Sequence, residues 1–283
     1  MIDSHAHYTH HRFRDRFCYL DYGEAGFEVI EGTLDDVFAR MEAAGITDFI
    51  EPAIDLASNE EMLELAGKCH GKMHVAVGLH PTRTFLTKWS DRSQLEELSR
   101  RNGVVAIGEA GLDYHYRRSA QHRLCQRRWF RYQIDLACER KLPLVLHIRR
   151  ADKAALRILK RNREKIVGGV VHCFNGTAEI ARQYLPLGLY FGIGGALLER
   201  SERAETLREA IRVIPLDRIL LETDAPFVLP YCTDASGEQI SGKIRNTSTV
   251  ILAVAEEIAR IKDVDVETVR EITTANARTL FRI

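Results

Sequence analysis

Short runs of apolar, β-branched and aromatic residues recur along the chain, spaced so that a helix fits between each pair. Eight stand out: MIDSHAH at 1–7, ITDFIEPAI at 46–54, MHVAVGLHP at 73–81, VVAIGEAGLDY at 104–114, LPLVLHIRR at 142–150, GGVVHCFNG at 168–176, LYFGIGGAL at 189–197 and RILLETDAP at 218–226. The intervening segments carry apolar residues at helical spacing, as in TLDDVFARMEAAG at 33–45, NEEMLELAGKCH at 59–70, SQLEELSRRNG at 93–103 and QRRWFRYQIDLACERK at 126–141. Thr33 with Asp36, and Ser58 with Glu61, have the spacing of helix N-caps, and Gly45 and Gly103 stand where a helix C-terminus favours glycine. Alternating strands and helices predict a parallel sheet, and eight strands closing on themselves give a (β/α)8 TIM barrel. The pattern predicts one domain over 1–283, with DVETVREITTANARTLF at 265–281 as an extra C-terminal helix. A doubly wound open sheet would want a G-x-G-x-x-G or P-loop turn, and GIGGAL in the seventh run is neither.

The 283 residues suit that architecture, since such barrels commonly reach about 250 residues in one piece. Hydrophobic residues make up 45% and charged ones 28%, as in an ordinary globular protein. Forty basic and forty acidic residues cancel, which argues against a protein that coats nucleic acid along an extended surface but leaves room for a local basic patch. The six cysteines form no C-x-x-C pair, and the N-terminus does not read as a signal peptide. With no apolar run of about 18 residues, the expectation is a cytoplasmic protein with reduced thiols and no membrane contact.

The first run raises a chemical question, because alternation along a strand points His5 and His7 to the same side. Two imidazoles at one point suit a metal ion, but an isolated H-x-H means little without partners. In a barrel the working groups sit at the C-terminal ends of the strands. There the fourth run offers Glu109, the fifth His147, the sixth His172 and the eighth Asp224. Singly, Glu109 or Asp224 could cap a helix and either histidine could be a core residue; together with His5 and His7 they read as a metal site. Four imidazoles and two carboxylates exceed the needs of one tetrahedral zinc and suit two divalent ions roughly 3.5 to 4 Å apart. A carboxylate can bridge two ions where imidazole cannot. The assignment is therefore one ion to His5, His7 and Asp224 and the other to His147 and His172, with Glu109 shared.

IDSHAH, GLHP, GEAGLDY, LPLVLHIRR, HCFNG and LLETDAP stand in the order and approximate spacing of the TatD-related metal-dependent deoxyribonucleases of the amidohydrolase superfamily, and the chain resembles them from residue 2 to the closing NARTLF at 276–281. The resemblance implies a TIM barrel, a divalent-metal site on the same ligand set, and hydrolysis of DNA phosphodiester bonds, commonly as an exonuclease. Superfamily members of the urease and dihydroorotase kind bridge their metals with a carboxylated lysine, and here Glu109 supplies the carboxylate. Such a pair of ions provides a water that deprotonates near neutral pH and neutralises charge on phosphate oxygens. Asp224 is placed to accept that proton or to serve purely as a ligand. An imidazole-rich site suits zinc, manganese or iron, whereas the activity of the family it resembles is usually described with magnesium.

DNA, single-stranded or at its ends, must reach that site. His80 in GLHP could donate to a phosphate oxygen or stand behind a ligand, while Asp113 and Tyr114 could orient a ligand or build the turn. The stretch 117–131, RRSAQHRLCQRRWFR, holds six arginines and no acidic residue. Arg117, Arg118 and Arg149 lie near enough to a ligand to contact phosphates, whereas Trp129, Phe130 and Gln133 belong to the face of a helix that packs on the barrel. The segment 9–32, long for a βα loop and rich in basic and aromatic residues, is expected to form a lid or wall over the substrate. In GKIRNTSTV, Arg245 and Asn246 match the Arg-Asn that family members typically follow with an acidic residue and proline, and the two are expected to bind substrate, but the proline is missing.

Two other readings are open. One is hydrolysis of an amide, lactone or aminoacyl ester, because a fold does not fix a function. The other is a partner-dependent subunit of a nucleic-acid-processing assembly, with 9–32 as the docking surface.

Overall fold

The computed structural model describes residues 1–23, 26–67, 72–116, 119–230 and 244–283. In chain order the strands are β1 (Ile2–Asp3), β2 (Phe17–Gly23), β3 (Gly26–Gly32), β4 (Asp48–Pro52), β5 (Met73–Val77), β6 (Val104–Asp113), β7 (Leu144–Arg149), β8 (Gly169–Val171), β9 (Tyr190–Ile193), β10 (Ile219–Leu221) and β11 (Ile244–Arg245). The α-helices are α1 (Leu34–Ala43), α2 (Leu56–Ala66), α3 (Arg92–Leu98), α4 (Ala120–Arg140), α5 (Asp152–Arg161), α6 (Ala178–Tyr184), α7 (Glu202–Val213), α8 (Val250–Lys262) and α9 (Val266–Phe281). Eight strands are hydrogen-bonded in the order β1-β4-β5-β6-β7-β8-β9-β10, the strand order of a (β/α)8 barrel, with parallel pairing at β1–β4, β5–β6, β6–β7, β7–β8 and β9–β10. No helix among the described residues is long and apolar enough to cross a membrane.

The helix ends follow the side-chain chemistry. Thr33 caps α1 in a reciprocal capping box with Asp36, a device that stabilises a helix by about 1 kcal/mol, and Gly45 past its end has φ 72°. Helix α2 begins a turn earlier than its apolar spacing suggests. Asp55 is its N-cap, and Ser58, expected there, is the third helical residue whose hydroxyl takes the Asp55 N–H at 2.9 Å. Helix α4 likewise starts at Ala120, because Ser119 accepts the His122 N–H.

The chain falls into two compact units: Met1–Phe49 with Cys173–Arg182 and Phe191–Ala277, and Ile50–His172 with Gln183–Tyr190 and Arg278–Ile283. In the first, Tyr8 packs on Phe13, Phe38 and Phe49 at centroid distances of 5.0 to 5.3 Å. Helix α8 buries Val250, Ile251, Val254 and Ile258. The long segment after β1 is an antiparallel hairpin of β2 and β3, and β11 adds to it in parallel. Its inner strand buries Phe17, Tyr19 and Leu20. Thr247 donates its hydroxyl to the Leu20 carbonyl at 2.7 Å, tying the hairpin to the start of α8. In the second unit Ile107, Leu112, Phe130, Ile134, Leu144 and Leu146 form the core, and α4 also buries Trp129 against Trp89.

Candidate metal centre

Strand β1 is shorter than its apolar run because Asp3 intervenes: its carboxylate takes the His5 N–H at 3.1 Å and interrupts the ladder. Pairing resumes as an isolated parallel bridge between Ala6 and Ala225. The His5 carbonyl accepts the Asp224 N–H at 2.8 Å, and the His7 N–H reaches the Ala225 carbonyl at 2.7 Å. These bonds bring the three side chains together. The Nε2 atoms of His5 and His7 lie 3.2 Å apart, with Asp224 Oδ1 at 3.7 and 3.4 Å from them. Asp224 has φ 58°, a left-handed backbone that Asp tolerates better than most residues. Two imidazole nitrogens and one carboxylate oxygen converging at this spacing are a fitting donor set for a divalent cation.

The second cluster gathers around Glu109. This residue lies within β6 and not at its end, because the strand runs on to Asp113. The β6–β7 register shifts between Ile107 and Ala110, as at a β-bulge, a distortion that re-aims side chains. Glu109 Oε1 is 2.7 Å from His147 Nδ1, 3.4 Å from His172 Nε2 and 3.5 Å from His80 Nε2. Burial alone would raise the Glu109 carboxyl, but His80, His172 and His147 hold it well below its usual value. His80, expected on the substrate, thus joins Glu109 and His147 in a triad whose ligand atoms all lie within 4.8 Å of one another. This set too fits a divalent cation.

Asp113 orients His147 and builds the turn as well. Its Oδ2 is 3.1 Å from His147 Nε2, while its Oδ1 accepts the backbone N–H groups of His115 and Tyr116, each at 2.8 Å. Burial opposes its charge, yet the His147 bond and the two backbone donors bring its pKa down to about 2. The same two carboxylates outweigh the burial of His147 and raise its imidazole above the ordinary value. A carboxylate on one ring nitrogen selects the other for the cluster.

Three side-chain amides extend the strand ladder behind these groups. Gln126 donates to the Asp113 carbonyl and accepts its N–H, at 2.9 and 3.0 Å. Gln133, one more heptad along α4, does the same for Leu79, and Asn59 for Gly78. Gln133 therefore does more than pack on the barrel.

Sequence reasoning missed four buried carboxylates, Asp3, Asp21, Glu51 and Glu222, of which Asp3 and Glu222 brace the strand ends. Asp3 is fully buried and accepts hydroxyl hydrogen bonds from Ser248 and Thr223, both at 2.6 Å. Burial raises its pKa to about 7 against those bonds. Glu222 takes the backbone N–H of Cys173, which has φ 47°, and its side chain fills the space a Cβ on Gly192 would need. The glycine at 192 in GIGGAL thus makes room for a carboxylate. The only sequence clue to either acid was its position in an apolar run.

Arg149 ends β7 two residues beyond His147, on the same side of the strand. Arg245, in β11, donates its Nε to the Arg12 carbonyl at 3.2 Å, and Arg12 lies over the Phe227 ring, whose centroid is 6.1 Å from that of His7. Asn246 is a correction: expected on the substrate, it is fully buried and donates its amide to the carbonyls of Thr223 and Val228, because the residues around it are drawn into the core. Arg117 and Arg118 lie outside the described residues.

Imidazole and carboxylate gathered within and just beyond the strands of a parallel barrel sheet are the equipment of a metal-dependent hydrolase. The sequence matches the family model described as TatD related DNase over residues 2–282, and the chain belongs to that family. It is 35% identical over 256 residues to the uncharacterized metal-dependent hydrolase YabD of Bacillus subtilis (strain 168), a match covering 90% of this chain and 95% of that one. It is 34% identical over 256 residues to the 3'-5' ssDNA/RNA exonuclease TatD of Edwardsiella piscicida, covering 89% and 94%. Among solved structures it is similar to YjjV, a TatD homolog from Escherichia coli K12, with a TM-score of 0.83 and 27% identity over 100% of this chain and 98% of that one.

Proposed function

We propose that the protein is a divalent-metal-dependent phosphodiesterase that shortens single-stranded DNA from an end. One ion is assigned to His5, His7 and Asp224, the other to Glu109, His147 and His172 with His80 beside them. The observation that carries this reading is the clustering of imidazoles about the buried, ionised Glu109, in a family whose relatives include single-strand exonucleases. Bound there, divalent ions would lower the pKa of a water and neutralise charge on the scissile phosphate.

The chain's own groups do the rest. Asp113 and the Gln126 clip hold His147 in one orientation, so its Nδ1 needs no reorganisation. Asp224 accepts the proton of the attacking water, in reach of His7. Arg12, within 9–32, and Arg245 beside it hold phosphates, which is the part a wall formed by that segment would play, and Arg149 at the end of β7 is a further phosphate contact.

The test is a gel assay of end-labelled single-stranded DNA with metal-stripped protein resupplied with magnesium, manganese or zinc, beside Glu109→Ala. The expected result is a metal-dependent ladder shortening from one end and absent in the variant. Intact DNA with every metal, alongside turnover of nitrophenyl esters, would overturn the reading in favour of an ester or amide hydrolase.

A further inference from the structure

Beyond Asp113 the chain turns and presents a large aromatic ring to solvent. Tyr116 is 63% exposed, unusual for a side chain whose backbone is so firmly held. Its N–H donates to Asp113 Oδ1 at 2.8 Å, and Asp113 is in turn clamped by Gln126 and bonded to His147. The Arg149 guanidinium lies over the Tyr116 ring, 4.7 Å from its centroid. The two segments are joined as well by the Tyr114 N–H, which donates to the Arg149 carbonyl at 2.9 Å. Around Tyr114 the pattern repeats, with Arg123 at 4.6 Å from its ring centroid and the Arg127 Nε donating to its hydroxyl at 2.8 Å.

An exposed ring whose backbone is tied through one carboxylate to a candidate metal ligand, with a cation against it, has the parts of a stacking platform for single-stranded nucleic acid. The aromatic face takes a base of any sequence and the guanidinium takes the neighbouring phosphate. The burial of Asp113 and its two backbone bonds mean that little further ordering is needed on binding. A ring serving only to cover apolar surface would be buried, as Trp129 and Phe130 on the adjacent helix are.

We infer that Tyr116, with Arg149 against its ring, is the base-stacking residue that positions a nucleotide of single-stranded substrate next to His147. This rests on the phosphodiesterase reading above and adds the residue that selects for a base-bearing strand. Base stacking on an aromatic ring accounts for about a 5- to 150-fold difference in affinity.

The experiment is steady-state kinetics of metal-loaded wild type, Tyr116→Ala and Tyr116→Phe on an oligothymidylate and on a strand of the same length built from abasic residues. Tyr116→Ala is expected to raise KM for the oligothymidylate about tenfold or more with kcat within about twofold, while Tyr116→Phe stays near wild type. On the abasic strand wild type and Tyr116→Ala should share one raised KM. An unchanged KM for Tyr116→Ala on an oligothymidylate that wild type degrades would overturn this inference alone. Failure of wild type to degrade either strand would overturn the phosphodiesterase reading and this inference with it.

Discussion

Asp113 holds His147 by the ring nitrogen that faces away from Glu109: its Oδ2 is 3.1 Å from Nε2, while Nδ1 is 2.7 Å from the Glu109 carboxylate. The imidazole is thereby held in rotation. Asp113→Asn is expected to keep the fold and weaken metal binding by roughly 10- to 100-fold, the usual effect of losing a carboxylate behind a ligating histidine. Isothermal titration with manganese checks this, and an affinity equal to wild type would remove Asp113 from the site.

Removing ligands should divide the two clusters. Elemental analysis of purified wild type is expected to find two ions per chain. The His5→Ala/His7→Ala double variant should retain the ion on Glu109 and His147 but lose activity by at least about 100-fold. A wild type that binds a single ion under saturating metal would sink the two-ion assignment.

Arg12 and Arg245 sit together on the hairpin side, Arg245 donating to the Arg12 carbonyl. If both contact phosphates, the Arg12→Ala/Arg245→Ala variant should weaken binding alike for all sequences. It should also lower the salt slope of log affinity by about 1.4, from roughly 0.7 per phosphate contact on a single strand. Measuring oligonucleotide affinity across a salt series checks both, and an unaltered slope would mean that neither arginine touches the backbone.

Gly192 leaves the space that the Glu222 side chain fills. Gly192→Ala must push that carboxylate off the Cys173 N–H it accepts. Overpacking and the lost bond together should cost about 2 to 4 kcal/mol in urea denaturation. A midpoint within error of wild type would show that Glu222 shifts freely.

Helices α7 and α8 are joined by Glu257, which accepts from Arg208 Nε at 2.7 Å and from two nitrogens of Arg260 at 2.7 and 2.9 Å. The Arg260 bonds, opposed by partial burial and aided by Arg208, lower its pKa below the ordinary 4.5. The unfolded chain therefore binds this proton more readily, so the contribution is complete above 4.5 and is lost as pH falls through the lowered folded value. Glu257→Gln is expected to cost about 1 kcal/mol at pH 7 and progressively less in acid, as read from thermal melts across that range.

The alternation of eight apolar runs with helical segments was enough to foretell the barrel order, because side-chain type and periodicity are local properties, and the same local patterns singled out His5, His7, Glu109, His147, His172 and Asp224 as candidate ligands. Strand limits were less legible. Asp3 interrupts β1 and a register shift carries β6 past Glu109, effects that depend on which strand lies alongside. Asn246 reads as a substrate contact in sequence and is a buried brace in the fold. Asp3 and Ser248, 245 residues apart, meet at 2.6 Å, and no local pattern announces that meeting. The sequence by itself determined which groups the protein carries and the order of the elements that bear them. Tertiary structure decided which atoms converge, which carboxylates are buried and which ring nitrogen is taken, because register and desolvation arise only when distant segments pack.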